Sequence, residues 1–506
     1  MCKQICSIKG KYFPERKDKR ISMLKYFLWP LLGLFLFSCS SVQKPIEKPN
    51  ILWIFVDDMN DWMNPYGYDK VKTPNINTLA EEGVLFEKAY VPAPVCSAAR
   101  SAIITGCMQT TYGTHNHRSG RGDYKINLPV DVKPIPQIFR ESGYLTFNFK
   151  KDDYNFQYDR AKLYDDEFNK LIQGSKKKRK KRHEPGNYDW FVHLKGKRFF
   201  GQLQFPGGKY GGEVGGKYPV ESRVSEDSVT VPPIYPDNKI FRNATARHYE
   251  QVAILDVEIG KIIESLKKND LYENTAIIFF TDHGYQLPRA KQFCYEEGVK
   301  VPLIISWPRG NNYLSEKGKR REDLANCIDL AAVSLGLAGL PIPRYMEGKD
   351  LFSEEYEERE FIVSARDRCD YSIDQIRSIR SEKYRYIRNY KTDRPLMQPQ
   401  YRDHYAAVVN MRELYAQGKL NDVQKRIFEK RPAEELYDME KDPYQINNLA
   451  TDPDFKGVLN LHRSYLQEWI IETGDKGQKL EAAESLKDIY ERWKEKCLNP
   501  EFKVLK

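Results

Sequence analysis

The chain has 506 residues, 30% of them charged, with a net charge of +10 and a mean hydropathy of −0.67. That length exceeds one small core and predicts two domains, and the polarity makes the bulk of the chain soluble. Nine scattered cysteines with no CxxC pair exclude a zinc ribbon or a dense disulfide framework, and the basic run Lys176–Arg182 comes with no nucleic-acid-binding motif.

Residues 1–22 are basic, and Met23 is the better start. The apolar stretch Tyr26–Ser38 is too short for a stable membrane span. Leu36-Phe37-Ser38-Cys39 resembles the lipobox of bacterial lipoproteins, which makes Cys39 the lipidated residue. A plain cleaved signal and a hydrophobic anchor are the alternatives, and each exports the chain. Residues 1–39 are read as the export segment and 40–49 as a polar tether.

Asn50–Val56 is an apolar run closed by Asp57-Asp58, and Ala276–Thr281 is another closed by Asp282-His283. Both read as buried parallel strands with carboxylates at their C-terminal ends, where open α/β sheets build their sites. Thr73-Pro74-Asn75 starts a helix that Gly83 ends. Pro134–Ser142 predicts a helix, Tyr144–Phe149 a strand, and Arg198–Gln204 a further buried strand before a glycine-rich turn. Tyr158–Tyr188 reads as a basic surface insertion. Asn243–Lys268 predicts a long amphipathic helix, Val301–Ser306 a strand and Asp323–Leu337 a helix.

This alternation predicts an α/β domain over residues 50–365, a doubly wound, mostly parallel sheet with helices on both faces. Ile376–Arg380 and Tyr384–Arg388 then alternate around a polar turn like an antiparallel hairpin. Residues 366–506 are therefore read as a smaller C-terminal α+β domain with an antiparallel sheet.

Pro92 and Pro94 precede Cys96-Ser97-Ala98-Ala99-Arg100, and small apolar residues follow. The pattern puts Cys96 at a helix N-terminus, where orphan N–H groups favour an anion and lower a thiol's pKa. An incidental cysteine on a tightly packed helix is the plainer alternative.

With Asp57-Asp58, Cys96-x-Ala98-x-Arg100 and Asp282-His283 in this order, the chain resembles the type I, formylglycine-dependent sulfatases of the alkaline-phosphatase-like superfamily. The resemblance runs from about Asn50 to Ala450. It implies that a sulfatase-modifying enzyme oxidises Cys96 to formylglycine. The hydrated aldehyde then attacks the sulfur of a sulfate ester, and its second hydroxyl lets sulfate leave. It implies Asp57, Asp58, Cys96, Asp282 and His283 as ligands of one divalent metal. Calcium is the family's ion; magnesium or manganese are alternatives because His283 stands where Asn is common. Arg100 is implied to steady the nucleophile, and Lys151 and Lys291 to contact sulfate.

Asp153 and Lys209 stand where the family often has histidines. Lys209 can hold sulfate but is a weak acid for a leaving alcohol unless its pKa is depressed, which leaves His115 or His117 for the proton role. His117, Asp153, Arg366, Asp367, Arg368, Asp370 and His404 are expected to meet substrate. Salt bridging between domains is the alternative for the Arg366–Asp370 run.

The expected function is an exported sulfatase, periplasmic or lipid-anchored at the outer membrane or cell surface. Its expected partner is a sulfated glycosaminoglycan or algal glycan, not nucleic acid. The competing readings are a phosphoester or phosphonate hydrolase of the same superfamily and a non-catalytic surface protein that captures anionic glycans.

Overall fold

The computed structural model describes residues 48–173, 187–209, 223–310, 314 and 317–505. Cys39, most of the tether, the Lys176–Arg182 run and the glycines after Lys209 lie outside the described residues. Among the described residues no helix is long and apolar enough to cross a membrane.

The described residues hold eleven strands, in chain order β1 (Asn50–Val56), β2 (Gly83–Tyr90), β3 (Leu145–Phe149), β4 (Phe199–Phe205), β5 (Thr275–Thr281), β6 (Leu303–Ser306), β7 (Lys319–Asn326), β8 (Phe361–Arg366), β9 (Ile376–Ser381), β10 (Tyr384–Asn389) and β11 (Glu434–Asp438). Seven of them form one sheet in the order β3-β4-β1-β5-β6-β2-β7. All neighbours in it run parallel except β6, which is antiparallel to both β5 and β2.

Both faces of this sheet are covered, which is why its central strands are apolar without alternation. In β1, Ile51, Trp53 and Phe55 pack into one hydrophobic layer, while Leu52, Ile54 and Val56 pack into the other. The period of two along an extended chain sends alternate side chains to opposite faces. Trp53 lies edge-on to Phe200 and Phe280, with ring centroids 5.3 and 5.4 Å away. Its indole N–H donates to Ser334 Oγ at 2.9 Å, so the bulky ring is buried without an orphan donor.

The helix Lys239–Lys268 lies in the Leu52 layer; Asn238 caps it by accepting from the N–H groups of Ile240 and Phe241. The helix Cys96–Thr105 is wholly buried and contributes Ala98, Ala99, Ile103 and Ile104 to the Trp53 layer.

Two expectations are corrected. Asp323–Asn326 is not helical: it is the end of β7, paired parallel to β2, and the helix begins only at Asp329. Residues with fair helix propensity are drawn into the edge strand because Leu324 and Ala325 bury their side chains there. The Asp329 carboxylate accepts from Asn326 N at 2.9 Å and holds the turn between the two elements. The expected insertion over residues 158–188 is not purely superficial, because Tyr164, Phe168, Ile172 and Tyr188 are buried.

The remaining strands form a second, antiparallel sheet in the order β11-β10-β9-β8. Val363, Ile379, Tyr386 and Leu436 pack on one face against Leu459, Leu466 and Trp469 of the helix Lys456–Thr473. Fully buried arginines tie this sheet down. Arg377 Nε donates to Asp475 Oδ2 at 2.7 Å, and its Nη1 to Asp367 Oδ1 at 3.1 Å. Replacing Arg377 by Met strands two buried carboxylates, and a loss of about 3–5 kcal/mol in urea unfolding is expected.

Candidate active site

Strands β4, β1 and β5 are adjacent and parallel, so their C-terminal ends meet at one edge of the sheet. Lys209 follows β4, Asp57-Asp58 follow β1, and Asp282-His283 follow β5. Lys151 follows β3, the next strand outward. The chain ends of four strands therefore deliver their side chains to one spot.

The turn after β4 needs its glycines. Gly207 has φ +49°, and a Cβ there would lie 2.1 Å from the Asp57 carbonyl oxygen. A Cβ on Gly208 would lie 2.0 Å from the Asp58 carbonyl oxygen. Only bare backbone lets this turn press against the end of β1 and bring Lys209 over the aspartates. Asp58 itself has φ 52°, and Gln292, beside Lys291, has φ 78°. Such left-handed non-glycine backbone collects at functional sites.

Cys96 is the first residue of its helix, and the N-cap, Val95, offers no side-chain acceptor. The helix end thus retains its affinity for an anion. Cys96 Sγ lies 3.1 Å from His283 Nε2, 3.5 Å from Lys291 Nζ, 3.7 Å from Lys209 Nζ and 3.8 Å from Asp58 Oδ1. Burial alone would raise the thiol's pKa, but Lys151, Lys209, Lys291 and His283 hold it well below the usual range.

Arg100 lies one turn along the same helix. Its Nε donates to Asp282 Oδ2 at 3.1 Å, Nη1 to Gln204 Oε1 at 2.6 Å and Nη2 to Asp57 Oδ1. Its guanidinium carbon sits 4.0 Å above the Phe55 ring. Three bonds and a stacked face leave this cation immobile.

The lysines complete the balance. Lys291 Nζ donates to Asp58 Oδ2 at 2.7 Å. Lys151 Nζ reaches both Asp57 oxygens at 3.0 Å. Lys209 Nζ bridges Asp57 Oδ2 and Asp58 Oδ1, each at 2.8 Å. Burial opposes the ionised state of Asp57 and Asp58, yet these cations depress both carboxylates, Asp57 most. Asp282 is different: burial, followed by the Asp57 charge, pushes it up to about 7. Lys209 is held well above the usual lysine range against burial, because Asp57 and Asp58 face it. Its charged form is thus favoured, the state in which a lysine meets an anion rather than giving up a proton.

Asp58, Cys96, Asp282 and His283 each offer one ligand atom, and these atoms lie within 4.8 Å of one another. His283 Nδ1 is 2.9 Å from the Gly284 carbonyl oxygen, to which it donates. That bond occupies Nδ1 and leaves Nε2, 3.3 Å from Asp58 Oδ1, as the nitrogen that would ligate a cation in place of its proton. The donor set fits a divalent cation. Asp57 is not in this group; its oxygens serve Arg100, Lys151 and Lys209.

The other expected residues separate. Arg366, Asp367 and Arg368 are corrected from substrate contacts to internal pairing. Arg366 faces Asp374 at 3.6 Å and Asp367 faces Arg377, all four buried, and the buried Arg368 meets the half-buried Glu481, Nη2 to Oε1, at 2.8 Å. His404 is exposed and packs edge-on to Tyr405. His115 interacts electrostatically with Asp367 and Glu481, and no described hydrogen bond joins it to the Cys96 cluster. Asp153 links Lys151 at 3.3 Å to Arg121 at 2.9 Å. His117 pairs with Asp370, Nδ1 to Oδ2 at 3.2 Å, and lies 3.4 Å from Cys369 Sγ. Gln204, which orients Arg100, went unnoticed in the sequence, although a polar residue inside the apolar run of β4 marked it.

The fold and this edge define the class first: an alkaline-phosphatase-like hydrolase. A family model described as sulfatase matches residues 49–340, and one described as N-sulphoglucosamine sulphohydrolase, C-terminal, matches residues 282–432. The chain belongs to the sulfatase family and is a sulfuric ester hydrolase. An ulvan-active sulfatase of Formosa agariphila is 29% identical over 460 residues, covering 85% of this chain and 76% of the relative. The N-sulphoglucosamine sulphohydrolase of Homo sapiens is 24% identical over 466 residues, 84% of this chain and 90% of that protein. The solved structure of a 2-O GAG sulfatase shares the fold with a TM-score of 0.59 at 20% identity, over 86% of this chain and 94% of that one.

Burial would lower the His117 pKa, but Cys369 and Asp370 raise it well above the ordinary 6.5. A raised folded-state pKa means that protonation favours the folded protein. The contribution is complete below the unfolded value and fades as pH climbs through the folded one. Stability in urea is expected to fall as pH rises above the ordinary histidine value of 6.5, and Asp370→Asn to flatten that slope.

Proposed function

We propose that this chain is an exported, lipid-anchored sulfatase that hydrolyses sulfate esters of a sulfated polysaccharide or its oligosaccharides, of glycosaminoglycan or algal type. The reading includes formylglycine, made from Cys96 by a sulfatase-modifying enzyme, and one divalent cation, with calcium first. The observation that carries it is the position of Cys96: at a helix N-terminus, among four metal-donor residues and within 3.7 Å of two lysine ammoniums. The two named relatives, one ulvan-active and one an N-sulphoglucosamine sulphohydrolase, support a sulfated glycan as substrate.

Asp58, Asp282 and His283, with the side chain at position 96, would hold the cation. The cation and the oxidised side chain supply an oxygen nucleophile and neutralise charge on the sulfate. The chain's own residues do the rest. Arg100, fixed by Asp57, Asp282 and Gln204, orients position 96 from beneath. Lys151, Lys209 and Lys291 present point charges to the sulfate oxygens, easing the approach of one anion to another. In the net reaction the bond between sulfur and the sugar oxygen breaks, water supplies the oxygen that sulfur gains and the proton that the sugar oxygen takes, and the products are sulfate and the free sugar alcohol.

Two measurements test this reading. Mass spectrometry of the Cys96 peptide from protein made in a competent host is expected to show formylglycine. Cys96→Ala is expected to lower sulfate release from ulvan and heparan sulfate oligosaccharides by about a thousandfold or more. A fully active protein with an unmodified thiol, or faster hydrolysis of aryl phosphate than of aryl sulfate, would contradict it.

Chelation by EDTA is expected to lower both sulfate release and the thermal midpoint, and returned calcium to restore both. Asp282→Asn is expected to remove most of the calcium-dependent rise in midpoint, because one negative donor is lost.

A further inference from the structure

Next to Cys96 lies a group of polar atoms with capacity left over. The backbone N–H of Arg118 donates to Ser97 Oγ at 2.9 Å, which ties Arg118 to the residue after the nucleophile position. Arg118 has φ 60°, a left-handed conformation that a bulky residue adopts only where its surroundings demand it. Its guanidinium carbon lies 5.3 Å above the Tyr401 ring, and the His117 ring lies 5.8 Å from the same ring. Tyr401 interacts electrostatically with Lys291 and Cys96, so this aromatic surface borders the reaction centre.

The charges here do not cancel. One carboxylate, Asp370, faces both His117 at 3.2 Å and Arg118 Nη1 at 3.4 Å. The closer contact goes to His117, which leaves Arg118 with surplus positive charge. Asp370 also occupies only the Nη1 side of the guanidinium. Arg118 Nε is buried with no partner, and Nη2 makes no described hydrogen bond. Nε and Nη2 form the side-on fork that matches two oxygens of one anion. His117 Nε2 is likewise buried without a partner, and the Tyr401 hydroxyl makes no described hydrogen bond. A buried donor left unmade is costly, so an acceptor supplied by a ligand is the economical solution.

We propose that Arg118, backed by Tyr401 and His117, is a specificity-determining subsite for a second anionic group on the substrate, a carboxylate or a second sulfate on the sugar unit beside the scissile ester. The proposal rests on the sulfatase reading and narrows it to doubly anionic sugars. The aromatic ring gives the sugar an apolar face to lie on, and the fork reads the planar pair of oxygens.

The test uses the full-length protein from a competent host and two matched substrate pairs. One is a monosulfated uronate disaccharide with its carboxyl-reduced counterpart. The other is a disulfated hexosamine with its monosulfated counterpart. The wild type is expected to prefer the more anionic member of at least one pair by about tenfold or more in kcat/KM, mainly through KM. Arg118→Gln is expected to bring that ratio close to one, and Arg118→Lys, which keeps the charge but not the fork, to give an intermediate value. The pair that responds distinguishes carboxylate from sulfate. A wild type with no preference in either pair overturns the proposal. So does a ratio that survives in Arg118→Gln, or an equal loss on all four substrates, which a structural role would produce. If no substrate releases sulfate, the sulfatase reading fails instead. The subsite is then judged by calorimetric titration of the uronate disaccharide into Cys96→Ala and Cys96→Ala/Arg118→Gln proteins: equal affinity overturns it, and about tenfold weaker binding to the double variant supports it.

Discussion

Everything at the sheet edge depends on an electrostatic balance around carboxylates that water scarcely reaches. Asp57, Asp58 and Asp282 crowd together with at most 5% exposure each, a placement that would be prohibitive for isolated ions. Arg100, Lys151, Lys209 and Lys291 compensate them from four different elements. Because each carboxylate serves more than one cation, none of these groups can move alone. The same balance that permits the fold also surrounds Cys96 with positive charge, so the thiol position is poised to receive an anionic substrate.

The main sheet supplies the precision. Parallel register sets β1 between β4 and β5, so three strand ends arrive side by side, and bare backbone at Gly207 and Gly208 brings Lys209 within reach of the aspartates. The antiparallel sheet contributes differently. Its arginines are consumed in buried pairs such as Arg377 with Asp475 and Arg431 with Asp374. These pairs specify how its strands and loops pack rather than meeting a sugar. The surface beside Cys96 instead draws on two distant loops, one around His117 and Arg118 and one around Tyr401.

The site was legible in the sequence wherever one local feature signalled it. Apolar runs ending in acids marked β1 and β5, prolines before a small-residue helix marked Cys96, and glycines after β4 marked the turn at Lys209. Failures arose where local sequence was ambiguous. The stretch before Asp329 resembles a helix until its pairing with β2 is known. The charged run Arg366–Asp370 looks suited to an acidic sugar until its partners are seen, and these lie as far off in the chain as Glu481 from Arg368, 113 residues, and His117 from Asp370.

The sequence alone determined β1, β3 to β6, the β9–β10 hairpin, the long helices and the residues at the end of β1, because hydrophobic period and turn chemistry are local properties. Tertiary structure decided which charges face one another: that Asp57 meets Arg100, Lys151 and Lys209, that Lys209 bridges Asp57 and Asp58, and that Arg118 Nε is buried with no partner. Coulombic pairing depends on distance in space and on exclusion of water, and neither quantity is written in residue spacing.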